Sequence, residues 1–353
     1  MIPDKATSEG TARFESRFPG HQPAGFFRSA QGNTVSSLGI GTYLGGLDEA
    51  SDRNYVEALL AAVRGGINFI DAAINYRHQR SERCIGEALG RMAGAGEIRR
   101  DEVVVCTKAG FLVPDAVPLG VLRPSDTVGG MHCMATAFLE DQIGRSRGNL
   151  GLETIDVFYL HNPETQLEQL PEDEFYERIR RAFEKLEELA ARGWIANYGA
   201  ATWSGFRKPA GSAGALSLAR MAGIAREVAG ESHRFRYIQL PFNLGMPEAF
   251  TQRTARVDGS PESVLDLAAE LGITVVASAT LLQSRLASGL PEEIGKRLPG
   301  PETDAQRAIQ FTRSTPGITV ALVGMSSAAH VAENLGIARV RAAAPEDYME
   351  IFR

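Results

Sequence analysis

An alternation repeated eight times constrains this chain more than any other feature. Short apolar, β-branched runs are each followed by a longer stretch of helical period. The strand candidates are Ser37–Gly41, Ile67–Asp71, Val103–Thr107, Thr154–Leu160, Ile195–Gly199, Tyr237–Leu240, Thr274–Ser278 and Thr319–Val323. Between them, Tyr55–Arg64 places Val56, Leu59, Leu60 and Val63 on one helical face, and Asp173–Arg192 does the same with Phe175, Ile179, Phe183, Leu186 and Leu189. Ser81–Met92, Phe138–Leu150, Leu216–Val228, Glu262–Leu271, Asp304–Ser314 and Ala328–Ala338 complete the helices. Eight strands, each followed by a helix, predict an α/β protein of the (β/α)8 TIM-barrel class. A doubly wound sheet would need a phosphate-binding glycine turn after its first strand. The stretch Gly39–Gly46 has glycines but no GxGxxG.

Residues 1–25 are polar, with Pro and Gly, and read as a flexible tail; residues 26–353 read as one barrel domain. Two connections, 109–134 and 281–303, are longer than a barrel requires. Both leave C-terminal strand ends, the face on which barrel enzymes build their sites.

Composition narrows what that face can do. With 37 Lys+Arg against 43 Asp+Glu the net charge is −6, and no basic surface invites nucleic acid. No apolar run approaches the roughly 18 residues a membrane span needs. The charged first 25 residues do not read as a secretory signal. Cys84, Cys106 and Cys133 are widely spaced and odd in number, as free thiols in a reducing compartment are, so a cytoplasmic location is expected. Cys106 falls within a strand and reads as packing; Cys133 falls on a loop and reads as exposed. No CxxC or HExxH is present, so no metal site is expected.

The strand ends carry the chemistry. The second strand ends in Asp71, with Tyr76 five residues on; the third ends at Lys108 and the fourth at His161. A tyrosine, with an ordinary pKa near ~10, is a poor acid at neutral pH. A buried ammonium beside it favours the phenolate and lowers that pKa. Lys108 would supply the charge, and Asp71 would hold it by a salt bridge. His161 would donate a hydrogen bond to a carbonyl oxygen that Tyr76 protonates, or Tyr76 would take a proton from an alcohol in reverse. Such a set suits carbonyl reduction beside a hydride donor.

These residues, with Leu38-Gly39-Ile40-Gly41-Thr42, Gly66–Tyr76, Ser81-Glu82, Ile85–Leu89, Thr107-Lys108, Ile155–His161 and Val331–Asn334, resemble the aldo-keto reductases from about Phe26 to about Val340. The resemblance implies the (β/α)8 barrel, a catalytic tetrad of Asp71, Tyr76, Lys108 and His161, and NADP or NAD as cofactor. By the same resemblance, Gly41, Thr42 and Asp71 border the nicotinamide and Gln239 meets its carboxamide. The family's Ser-Asn pair reads Ala201-Thr202 here, and its stacking aromatic reads Ser278. Leu281, Gln283 and Arg285 would lie along the pyrophosphate, and Glu333 and Asn334 at the adenine. Where NADP-preferring relatives place basic residues for the 2′-phosphate, this chain has Gly324, Ser326 and His330, with Ser327 beside them. Serines bring no charge to a dianionic phosphate, so a weaker NADP preference than is usual is expected and NAD is left open. Ser326-Ser327 also reads as a cap of the last helix.

Tyr43, Arg77, Trp203, and Met131 or His132 on the third loop are the candidates for meeting a small carbonyl or alcohol substrate. Arg77 and His78 follow Tyr76 directly and suit an anionic or polyhydroxy compound. Three readings stand together. The first is a hydride-transferring oxidoreductase with Tyr76 as acid and base. The second is a non-redox lyase or isomerase on the same scaffold, motivated by Ala201 and Ser278. The third is a nucleotide-holding subunit without turnover, against which the complete tetrad speaks.

Overall fold

The computed structural model describes residues 1–118, 120–253, 255–257 and 260–352. Its centre is a closed barrel of eight parallel strands in sequential order. These are β1 (Leu38–Gly41), β2 (Phe69–Asp71), β3 (Val104–Ala109), β4 (Ile155–His161), β5 (Ile195–Ala201), β6 (Phe235–Pro241), β7 (Thr274–Ser278) and β8 (Ile318–Gly324). The intervening helices are α1 (Glu49–Arg64), α2 (Arg80–Gly94), α3 (Thr136–Leu150), α4 (Glu172–Ala191), α5 (Leu218–Ala229), α6 (Val264–Glu270), α7 (Asp304–Ser314) and α8 (Ala328–Asn334). The (β/α)8 expectation holds, and each expected strand overlaps an observed one. The expected helix Ala328–Ala338 is α8 followed by a 3-10 turn over Leu335–Arg339.

Strand alternation sorts side chains into two compartments. Phe69, Val104, Cys106, Val157, Tyr159, Tyr237, Val276, Val320 and Leu322 fill the barrel interior. Outward residues such as Ile70, Val105 and Phe158 pack under the helices in a separate core. The interior is full: a Cβ on Gly199 would lie 2.0 Å from the Tyr237 carbonyl oxygen and 3.0 Å from the Tyr159 ring. One step further along each strand, the inward positions are Asp71, Lys108, His161, Ala201, Gln239 and Ser278. The strands thus end in a polar layer above an apolar one.

The barrel's opposite end is closed by residues the sequence reading missed or misjudged. Phe27–Ala30 and Asn33–Ser36 form an antiparallel hairpin whose Ala30 and Val35 join the interior cluster. Its turn, Gln31-Gly32, has φ of 48° and 83°, the left-handed pair that a two-residue hairpin requires. The expected loose tail carries a helix, Ser8–Ser16, capped by Thr7. Arg13 bonds Asp101 and Glu102 at 2.6 and 2.8 Å, and the Ala6 amide donates to Asp156 at 2.7 Å. Helix and barrel touch so closely that a Cβ on Gly10 would fall 2.2 Å from the Asp101 carbonyl oxygen. These contacts pair residues about 90 to 150 positions apart, which no local pattern announces.

The long third connection contains a small hairpin, Thr127–Val128 with His132–Cys133, and Cys133 is buried rather than exposed. The seventh contains a short helix, Glu292–Arg297. Gly199→Ala should test the filled interior. Overpacking of this kind costs about 1–3 kcal/mol, seen as an earlier urea midpoint, and an unchanged midpoint would contradict the packing described.

Candidate active site

The polar layer forms the floor of a cavity of about 480 Å³ at the C-terminal ends of the strands. Lys108 comes up on β3 as the next inward residue after Cys106. Its ammonium donates to Asp71 Oδ2 at 2.6 Å and to the Ala72 carbonyl at 2.7 Å. The lysine is 1% exposed and the aspartate 4%. The other carboxylate oxygen, Oδ1, accepts from Gln239 Nε2 at 2.9 Å, which ties β6 to β2 across the barrel. Burial lowers the Lys108 pKa, but Asp71 and Tyr76 more than reverse this, and the net direction is up. Lys108 therefore stays charged at neutral pH.

Above the pair stands Tyr76. Lys108 Nζ lies 4.9 Å from its ring centre, and the His161 ring lies 5.8 Å away, edge-on. The sequence reading expected Lys108 to bring the tyrosine pKa down. Burial outweighs it: the phenol is pushed up to about 12, with Lys108 pulling the other way. Tyr76 therefore keeps its proton at neutral pH. His161 is held well below its ordinary value, first by burial and then by the charge of Lys108, so its ring is neutral. Its Nδ1 is buried without a partner. A neutral phenol and a neutral imidazole facing one cavity can both hydrogen-bond an oxygen that gains electrons.

The walls bring together most of the expected residues. Gly41, Thr42, Tyr43, Asp71, Tyr76, His161, Ala201, Thr202, Trp203, Gln239, Ser278, Leu281, Gln283 and Gly324 all line the cavity. Tyr43 stands edge-on to Tyr76 at 4.9 Å and is 54% exposed; Trp203 is 45% exposed. Thr202 is buried, and its hydroxyl has no protein partner. So is that of Thr280, another lining residue. Beneath Trp203, the buried Glu164 accepts from the amides of Trp203, Ser204 and Gly205 at 2.7, 2.9 and 3.3 Å, fixing that loop.

Other expected residues lie elsewhere. Arg77 is buried away from the cavity: it donates to the Gly46 carbonyl at 2.9 Å, pairs with Asp52 and lies over the Tyr55 ring. The chain turns left-handed at Arg77, His78 and Gln79, with φ of 50°, 50° and 70°, which directs Arg77 toward α1. It packs against α1 and does not line the cavity. His132 is 0% exposed and does not line the cavity either. Arg285, Ser326, Ser327, Glu333 and Asn334 lie outside the cavity on the segments following β7 and β8. Ser327 caps α8, accepting from the His330 amide at 3.3 Å. Asn334 is 3% exposed, with Oδ1 unpartnered.

Phe111, Asn75, Asn162 and Thr280 line the cavity and were missed. Each sits within three residues of a residue that was read (Lys108, Tyr76, His161 and Ser278), so adjacency was the available signal.

Two buried hydroxyls without protein partners, those of Thr202 and Thr280, line the cavity. With the small residues Gly41, Ala201 and Ala279 among the lining, the chemistry fits a nicotinamide held by its carboxamide.

The family model for the aldo/keto reductase family matches residues 37–208. The chain is 32% identical over 181 residues to a D-threo-aldose 1-dehydrogenase of a Pseudomonas species, covering 47% of this chain and 50% of that one. It is 29% identical over 176 residues to an NADH-specific methylglyoxal reductase of Escherichia coli K12, covering 48% of each. The match thus spans about half the length of these curated relatives. Among solved structures, an aldo/keto reductase from Klebsiella pneumoniae in complex with NADP and acetate aligns with TM-score 0.62 at 20% identity, covering 91% of this chain and 92% of that one. The holo form of aldo-keto reductase AKR11C1 from Bacillus halodurans aligns at 0.65 and 18%, covering 92% and 95%. At those identities the likeness speaks for the fold.

Removing one member of the buried pair leaves the other charge uncompensated. Lys108→Met should cost about 3–5 kcal/mol, measured by urea denaturation, and Asp71→Asn added to it should restore much of the loss. A single mutant as stable as the native chain would show that the pair is not buried as described.

Proposed function

We propose that this chain is a nicotinamide-dependent oxidoreductase of the aldo-keto reductase superfamily, a reading that the matched segment 37–208 supports. It interconverts a small aldehyde or ketone and the corresponding alcohol, with Tyr76 as general acid and base. The observation that carries the reading is the Lys108–Asp71 ion pair directly beneath Tyr76 and His161 on a cavity floor.

Thr202 and Gln239 would hold the carboxamide, the threonine by its unpartnered hydroxyl. Gly41, Thr42, Asp71, Ala201, Ser278, Leu281 and Gln283 would enclose the rest of the nicotinamide half. Arg285, Gly324, Ser326, Ser327, Glu333 and Asn334 would take the phosphates and adenosine. When bound, the cofactor supplies a hydride to the carbonyl carbon or accepts one from the alcohol carbon.

The protein's own part is electrostatic. As hydride arrives, charge develops on the carbonyl oxygen. His161 donates a hydrogen bond to that oxygen, and Tyr76 donates its proton. The phenolate left behind is stabilised by Lys108, whose charge opposes the burial that otherwise holds the phenol protonated. Asp71 keeps Lys108 in place through the cycle. Tyr43, Phe111 and Trp203 give the substrate an apolar wall, while Asn75 and Asn162 offer amides.

Serines without charge after β8 still favour a weak preference for the 2′-phosphate. Titration of the protein with NADPH and NADH, followed by tryptophan fluorescence, should show binding of at least one. Tyr76→Phe should lower carbonyl reduction by about 100-fold or more while nucleotide affinity changes little. Full turnover in that variant would sink the assignment. If neither nucleotide binds at millimolar concentration, the search turns to lyase or isomerase chemistry.

A further inference from the structure

The mechanism leaves one buried ionisable side chain beside the site without a role. His132 comes from the small hairpin of the third connection, 29 residues ahead of His161 in the chain. Its Nε2 lies 2.7 Å from the His161 carbonyl oxygen, and its Nδ1 lies 3.1 Å from Gln166 Nε2. Burial pushes its pKa down to about 4, against the pull of the bond to His161, so the ring is neutral and carries one proton. A carbonyl can only accept and an amide nitrogen can only donate. The proton is therefore on Nε2, where it is donated to His161, and Nδ1 accepts from Gln166.

The carbonyl it reaches needs a partner. His161 ends β4, and the next residue, Asn162, turns left-handed with φ of 50° while its amide donates to Ala201 at 2.6 Å. On the β3 side the chain is so close that a Cβ on Gly110 would lie 2.4 Å from this same oxygen and 2.7 Å from His132 Nε2. Only a ring edge fits between. The same ring packs on Phe111, whose centre lies 5.1 Å from His132 and 5.2 Å from His161, edge-on to both at 89°. Phe111 lines the cavity and His132 does not. On the far side, Gln166 Oε1 faces Arg178 at 3.4 Å, and Arg178 also bonds Glu174 at 2.9 Å on α4. A chain of contacts thus runs from α4 to the backbone of His161.

We propose that His132 is a positioning residue that fixes the His161 peptide and the Phe111 wall through one neutral imidazole. It rests on the oxidoreductase reading, because its measure is the rate that His161 supports. Small displacements at a reacting centre cost on the order of 100-fold in rate, whereas nucleotide contacts lie on other strands. His132→Phe keeps the ring volume and loses both hydrogen bonds. It should lower kcat for carbonyl reduction by about tenfold or more, with the dissociation constant for NADPH or NADH changed less than about twofold.

His132→Gln carries an amide donor toward the same carbonyl and should regain most of the rate. Gln166→Met removes only the outer bond and should show a smaller loss of the same sign, which keeps the test open should the phenylalanine variant fold poorly. A His132→Phe enzyme at the native rate, or a His132→Gln enzyme no faster than it, overturns the proposal. If the native chain reduces no carbonyl with either nucleotide, the underlying reading fails instead, and the two failures are distinct.

Discussion

An ammonium with 1% of its surface exposed must be matched where it lies, since an unpaired charge in a protein interior costs several kcal/mol. Asp71 meets that demand on Lys108, and its second oxygen is in turn taken by Gln239. β2 and β3, already paired in the sheet, are thereby joined by side chains to β6 across the barrel. The ion pair fixes the floor on which Tyr76 and His161 stand. Burial keeps those two groups neutral: it disfavours imidazolium, with the Lys108 charge acting the same way, and it disfavours phenolate more than that charge favours it.

The pair can sit there because of what lies below it. Tyr159, Tyr237, Phe69 and the branched residues fill the barrel's middle. Gly199 makes the room that the two tyrosines take, and the hairpin and N-terminal helix cover the lower end. Water is excluded from below, and of the two charged residues Asp71 lines the cavity. The same exclusion strengthens each interaction with an oxygen that develops charge. Loops then build outward from this floor. The turn His161–Gln166 is their junction: Glu164 grips the loop bearing Trp203, and Gln166 grips His132 behind Phe111.

Much of this was legible because strand ends are local. A period-two run that terminates in an ionisable residue states both the strand and the residue's direction, and Asp71, Lys108 and His161 were read that way. Gln239 and Thr202 followed from resemblance and lie on the cavity. What failed to be legible depends on direction after the strand has ended. Arg77 adjoins Tyr76 in sequence, yet three left-handed residues carry it to Asp52. His132 faces His161 from behind because its loop folds back through Gly110. The N-terminal helix has little apolar surface beyond Phe14, and its partners Asp101 and Glu102 are some ninety residues away. The Tyr76 pKa was misjudged for a related reason, since the opposing desolvation exists only once the pocket has formed.

Under the proposed function, a carbonyl carbon would receive hydride above this ion pair while a protein group supplies the proton. The most direct measurement uses NADPH or NADH deuterated at the transferring carbon of the nicotinamide ring, with mass spectrometry of the alcohol formed. On that reading, one deuterium is expected on the former carbonyl carbon, and none from solvent at that position. An alcohol carrying solvent hydrogen there, or a product formed without consumption of the reduced nucleotide, would contradict it.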